Sequence, residues 1–130
     1  MITIPGRLMG LNEYTLKCRC NKYAGAGAKR SQEKIVSEAI INAIASAEQA
    51  PIDESDYPLT PTIIWYDDTR RDFDNVVFAK KFIFDSLQKC GIITNDSRKY
   101  IAGVTDKLIT EKENPRIEVY LTGGATNGSV

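Results

Sequence analysis

Thr62-Ile63-Ile64-Trp65-Tyr66, running on into Asp67-Asp68-Thr69-Arg70-Arg71-Asp72-Phe73-Asp74-Asn75, is the stretch from which the fold is read. Its first five residues are β-branched and aromatic, the composition of a buried strand. The acidic residues after them open a helical run from Val76 to Cys90. In that run Val76, Ala79, Ile83, Leu87 and Cys90 form a stripe that buries, while Asp74, Phe78, Lys81 and Asp85 share another face. Lys81 therefore looks back toward Asp74, and Lys80 points elsewhere. Gly91 supplies the helix stop, and Asn95-Asp96 fall in the loop beyond it. Asp74 and Asp96 meet only if that loop turns back. Carboxylates that converge in this way hold hard cations such as Mg²⁺, the usual agents of phosphodiester attack. The same residues also have a plainer reading, since Asp at a helix start is a good N-cap and Asp and Asn after Gly are ordinary turn residues.

Working outward, Pro51, Pro58 and Pro61 punctuate a non-helical connector before the strand. From Ser31 to Glu48 the residues Ile35, Val36, Ala39, Ile40, Ala43, Ile44 and Ala47 recur at three and four, predicting a core-facing helix. Ala24-Gly25-Ala26-Gly27-Ala28 reads as a flexible joint without the lysine spacing of a phosphate loop. Asn12 is expected to cap a short helix through about Asn21, and Ile2 to Ile4 is a brief strand cut off by Pro5-Gly6. Downstream, Tyr100 to Ile109 and Arg116 to Leu121 read as a hairpin completing a sheet, and residues 123–130 as a frayed tail. The expectation is one α/β (α+β) domain over residues 1–122, a mixed sheet packed by two long helices in β-α-β-α-β-β order.

Composition narrows the chemistry. The chain has 130 residues, 42% of them hydrophobic, enough for one modest core. Its lack of histidine removes Ser-His-Asp and Cys-His catalysis and every His-metal motif. Cys18, Cys20 and Cys90 are an odd number without a second pair to complete a zinc site, so reduced thiols are expected. No apolar run approaches the roughly 20 residues of a membrane span, and the N-terminus lacks the basic start of a signal peptide, so a soluble, cytoplasmic protein without a membrane partner or organic cofactor is expected. The 17 basic residues balance the 17 acidic ones, but unevenly. Lys17, Arg19, Lys22, Lys29, Arg30 and Lys34 crowd one region against Glu33 alone, which suits either an arm tracking a phosphate backbone or a solvated helix face.

Taken together, Arg71-Asp72-x-Asp74-Asn75, a lysine-bearing helix with Asp85-x-Leu87, then Gly91 and Asp96-Ser97 resemble the RusA family of Holliday-junction resolvases, endonucleases that cut four-way DNA junctions. The opening Ile4-Pro5-Gly6-Arg7-Leu8-x-Gly10-Leu11-Asn12-Glu13-Tyr14, the phrase Phe78-Ala79-Lys80-Lys81-Phe82-Ile83 and the late Asn114-Pro115-Arg116-Ile117-Glu118-Val119 are similar to a branch found in prophages of Gram-positive bacteria. The similarity spans most of the chain.

The resemblance implies that Asp72, Asp74 and Asp96 are the catalytic, metal-binding carboxylates for Mg²⁺, with Mn²⁺ as a substitute. The family's lysine, counted forward from Asp74, falls on Phe78; counted back from Asp85, it falls on Lys81, which its facing favours over Lys80. Asn95 stands where the family often has a second acid. A homodimer acting on branched DNA is implied, with phosphate contacts expected from Lys17, Arg19, Lys22, Lys29, Arg30, Arg70, Arg71 and Arg98. Because Asp67, Asp68, Asp72 and Asp74 repel phosphate and one another, metal or these arginines must neutralise them. Two other readings stay open: a Mg²⁺-dependent nuclease preferring flaps or forks, and a non-catalytic junction-binding or protein-binding module whose carboxylates serve only as caps and surface charge.

Overall fold

Alternation of period two in four short segments, and helical periodicity between them, produce a mixed α+β domain. The computed structural model describes residues 1–123, in the order β1 (Ile2–Pro5), α1 (Leu11–Cys20), α2 (Lys22–Ala45), β2 (Thr62–Asp67), α3 (Phe73–Val77), α4 (Lys80–Lys89), β3 (Thr105–Thr110) and β4 (Arg116–Tyr120). No helix among the described residues is long and apolar enough to cross a membrane. The last described residue, Gly123, forms a bridge with Leu59; the remainder of the expected tail, 124–130, lies outside the described residues.

The sheet runs β1-β4-β2-β3, with β2 parallel to β3 and the other pairings antiparallel. Its register lines up Ile2, Val119 and Ile63 in one row and Ile4, Ile117 and Trp65 in the next. None of the six is more than 3% exposed. Val36 and Ile40 of α2 and Phe82 and Ile83 of α4 belong to the same core. At roughly 1.5–3 kcal/mol for each fully buried large apolar side chain, these two rows are a major driving force for the sheet.

That register overturns the expected hairpin. β3 and β4 do not pair; β2 lies between them. The Glu111 amide donates to the Asp67 carbonyl at 2.8 Å, carrying the chain past the end of β2 so that β4 returns on its far side. β4, with Ile117 and Val119 buried, takes a central place, whereas β3, none of whose residues is fully buried, takes an edge.

The small-residue joint is also overturned. Ala24 to Ala28 lie within α2, whose first turn is capped by Asn21 accepting from the Ala24 amide at 2.8 Å. A Cβ on Gly25 would sit 2.8 Å from Cys18 Sγ and 3.2 Å from Cys18 Cα. The small side chains thus let α1 and α2 approach closely, and that packing offsets the helix penalty of about 1 kcal/mol per Gly. Asn12 is no cap: Gly10 holds the N-cap position of α1, and Asn12 lies in the first turn. The expected helix Val76–Cys90 is two helices. Between them Ala79, Lys81 and Phe82 donate to carbonyls three residues back, over-winding the join. The stripe itself holds, with Val76, Ala79, Ile83 and Leu87 buried. The three cysteines carry no disulfide.

Candidate active site

β2 runs out at Asp67, and the next five residues turn the chain into α3. Much of this acidic stretch is structural. Arg71 Nη2 binds Asp67 Oδ1 at 2.7 Å, its Nε binds Thr69 Oγ1 at 3.0 Å, and its Nη1 binds the Leu8 carbonyl at 3.2 Å. Thr69 donates both its amide and its hydroxyl to Asp67. Burial pushes the Asp67 carboxyl up, but the hydrogen bonds from Thr69 and Arg71 and the guanidinium charge outweigh it and hold the group below its ordinary value. Asp68 pairs with Arg7 at 2.7 Å. Asn75 Oδ1 accepts from the Asn12 amide at 3.0 Å. Arg71 and Asn75 therefore clasp the N-terminal segment, and they do so across Gly10. A Cβ there would lie 2.6 Å from Asn75 Oδ1 and 2.8 Å from Arg71 Nη1.

These contacts correct two expectations. The Asp67 and Asp68 charges are already neutralised by Arg71 and Arg7, and Arg71 is an internal brace before it is a phosphate contact. Lys29 is likewise paired, at 3.8 Å to Glu33 and 3.5 Å to Asp85. Lys17, Arg19, Lys22, Arg30, Arg70 and Arg98 are exposed and without a carboxylate partner among the described residues. Lys17, Arg19, Lys22 and Arg30 ride on ordered helix in α1 and α2 rather than on a loose arm.

Asp72 occupies the N-cap position of α3 in extended conformation, yet its side chain makes no capping hydrogen bond. Asp74 lies in the first turn of α3. After α4 the loop turns at Gly91, where φ is 75°, and Asn95 Oδ1 accepts from the Ser97 amide at 2.8 Å. Asn95 is thus a local turn-former, and Asp96 beside it is exposed. The base of the loop is fastened to Leu59, whose amide donates to the Tyr100 carbonyl at 2.7 Å and whose carbonyl accepts from Ala102 at 2.8 Å.

The loop does fold back. Asp74, Asp96, Lys80, Lys81 and Asp85 line one open groove of about 750 Å³ with Leu11, Val77, Phe78, Phe84, Ile101 and Val104. Asp72 is outside that lining. Lys81 Nζ rests 5.3 Å from the Tyr14 ring centroid and 5.6 Å from that of Phe78, and Tyr14, Phe78 and Phe82 pack against one another. Such cation–π contacts contribute about 0.5–1 kcal/mol at exposed sites, enough to bias the rotamer while leaving the charge unpaired. Lys80 differs: its Nζ is 2.5 Å from Asp106 Oδ2, and Asp106 Oδ1 also accepts from Trp65 Nε1 at 3.0 Å. Neither Asp106 nor the Tyr14–Phe78 seat was legible in the sequence, because each joins residues far apart along the chain.

Among the described residues, no group of three or more His, Cys, Asp or Glu stands close enough together to hold a metal ion. The donor chemistry of Asp74 and Asp96 nonetheless fits Mg²⁺, a hard cation usually held by one or two carboxylates, waters and substrate phosphates rather than by an all-protein cage. No protein-family model matches the chain, and no curated protein matches it.

Proposed function

We propose that this chain is a RusA-family, Mg²⁺-dependent endodeoxyribonuclease that resolves four-way DNA junctions. The supporting observation is a division among the aspartates. Asp53, Asp56, Asp67, Asp68, Asp85 and Asp106 all accept hydrogen bonds or form ion pairs. Asp72, Asp74 and Asp96 have no side-chain partner among the described residues. A carboxylate kept only for capping or folding would be engaged, and these three are the ones the family motif singles out.

In this reading Asp74 and Asp96 would hold Mg²⁺ from the two walls of the groove, with waters and substrate phosphate filling its other positions, and Asp72 would act from the start of α3, outside that lining. Bound there, Mg²⁺ would supply a water of lowered pKa and offset charge developing on the phosphate. Lys81, held over the rings of Tyr14 and Phe78, would direct its free ammonium to a phosphate or leaving oxygen. Lys80 would keep the groove wall in place through Asp106. Symmetric resolution needs two nicks in strands of like polarity, so two copies related by a two-fold axis would act together.

The test is cleavage of a synthetic four-way junction beside linear duplex and flap DNA, with and without Mg²⁺. Paired symmetric nicks that vanish in Asp72→Asn and Asp74→Asn while junction binding persists are expected. Preferential flap cutting would make the protein a different branched-DNA nuclease. Tight junction binding by the wild-type protein with no Mg²⁺-dependent nick would refute the catalytic reading and leave a binding module.

A further inference from the structure

A second pocket, of about 420 Å³, lies where β2 and β3 end, lined by Asp67, Thr69, Arg70, Arg71, Leu108, Thr110 and Lys112. Asp67 and Thr110 are the last residues of these two parallel strands, and ligands of open α/β sheets bind outside the carboxyl ends of such strands. Leu108 is the one apolar side chain in the lining, so an apolar ligand finds little to bury. The charges do not cancel. Asp67 is taken up by Arg71 at 2.7 Å, which leaves Arg70 and Lys112, both exposed and without an ion-pair partner among the described residues. Of the carboxylates nearest in sequence, Asp68 is occupied by Arg7 and Glu111 by Arg116 at 3.9 Å, while Asp72 and Glu113 lie outside the lining. Two cations without an ion-pair partner among the described residues, beside the hydroxyl of Thr110, make a seat for a multi-oxygen anion, whereas the Thr69 hydroxyl is already given to Asp67. Arg70 comes just before Asp72 and Asp74 in the chain, so this seat adjoins the start of α3.

We infer that the pocket at the ends of β2 and β3 binds a backbone phosphate of the nucleic acid next to the one being cut, with Arg70 and Lys112 supplying the charge and Thr110 a hydrogen bond. The inference rests on the nuclease reading for the source of the phosphate, but not for the pocket's preference for an anion. Lys112 was not among the basic residues expected to contact DNA, because it stands in an acidic stretch between Glu111 and Glu113.

The experiment measures four-way junction affinity against salt concentration in the Asp74→Asn background, comparing Lys112→Gln, Arg70→Gln and Lys107→Gln, the last on the opposite face of β3. Each phosphate contact removed lowers the log–log salt slope by about one. A drop of that size in Lys112→Gln and Arg70→Gln, with Lys107→Gln unchanged, is the expected result. Equal slopes in all variants would overturn the inference while leaving the nuclease reading intact. If the protein binds no junction, the nuclease reading fails and the pocket is titrated with inorganic phosphate, observed by amide chemical shifts. Saturable shifts at Thr69 and Thr110 that vanish in Lys112→Gln would keep the anion site with a free phosphate ligand; no shifts would overturn it.

Discussion

Replacing Gly10 by alanine tests whether the N-terminal clasp positions the acidic residues. The backbone there is extended, with φ −84° and ψ 174°, so alanine introduces no dihedral strain. Its methyl would instead overlap Asn75 Oδ1 at 2.6 Å, Arg71 Nη1 at 2.8 Å and the Asn75 carbonyl at 2.9 Å. Relief requires moving α1 away from α3. That loosens the Asn12–Asn75 bond, worth about 0.5–1.5 kcal/mol, and the Arg71–Leu8 bond, worth about 1.5–3 kcal/mol because a charge is involved. Holding both bonds and accepting the overlap costs about 1–3 kcal/mol instead. Reduced freedom of the unfolded chain returns about 0.4–1 kcal/mol. The net loss is roughly 1–3 kcal/mol, which in urea lowers the midpoint by about 0.5–1.5 M. Gly6→Ala is the comparison: φ is +75° with nothing within 4 Å of the added Cβ, so only the left-handed penalty of about 1–2 kcal/mol applies. Urea unfolding followed by circular dichroism, with junction cleavage under folding conditions, reads both quantities. Gly10→Ala should lose cleavage out of proportion to its stability, because Asp72 and Asp74 lie between the clasping residues Arg71 and Asn75. A Gly10→Ala midpoint at or above that of Gly6→Ala, with full cleavage, would refute the reasoning.

The two adjacent lysines separate by function. Lys81→Met should abolish cutting with stability within about 1 kcal/mol of wild type, the size of the lost cation–π contacts. Lys80→Met should cost about 1–3 kcal/mol by stranding the Asp106 carboxylate, yet retain cutting in the folded fraction; the opposite pattern in single-turnover cleavage would exchange their roles. Acid stability reports on Asp67. Because its carboxyl is held below its ordinary value of 3.8 in the folded state, it contributes stability above that value, and this is lost as pH falls through the folded-state value. Asp67→Asn should therefore be less stable than wild type at pH 7 and converge with it toward pH 2 in urea titrations. A stability difference independent of pH would show that the carboxylate charge is not what Arg71 and Thr69 stabilise.

Local chemistry made some of this protein legible in its sequence. The strand at Thr62–Asp67, the buried stripe from Val76 to Leu87 and the stop at Gly91 arise from side-chain period and backbone freedom, which are properties of neighbouring residues. Three features were decided only when distant segments met. Which strand neighbours β4 depended on lining up Ile2, Val119 and Ile63 from three parts of the chain. Whether Ala24 to Ala28 bend or remain helical depended on Cys18 packing against Gly25. Which charges remain free depended on partners far off in sequence: Arg7 for Asp68 and Asp106 for Lys80. Periodicity records which face of an element is apolar, but not what lies against it. The free carboxylates and the free lysine are left over after long-range pairing, so the tertiary structure alone determines them.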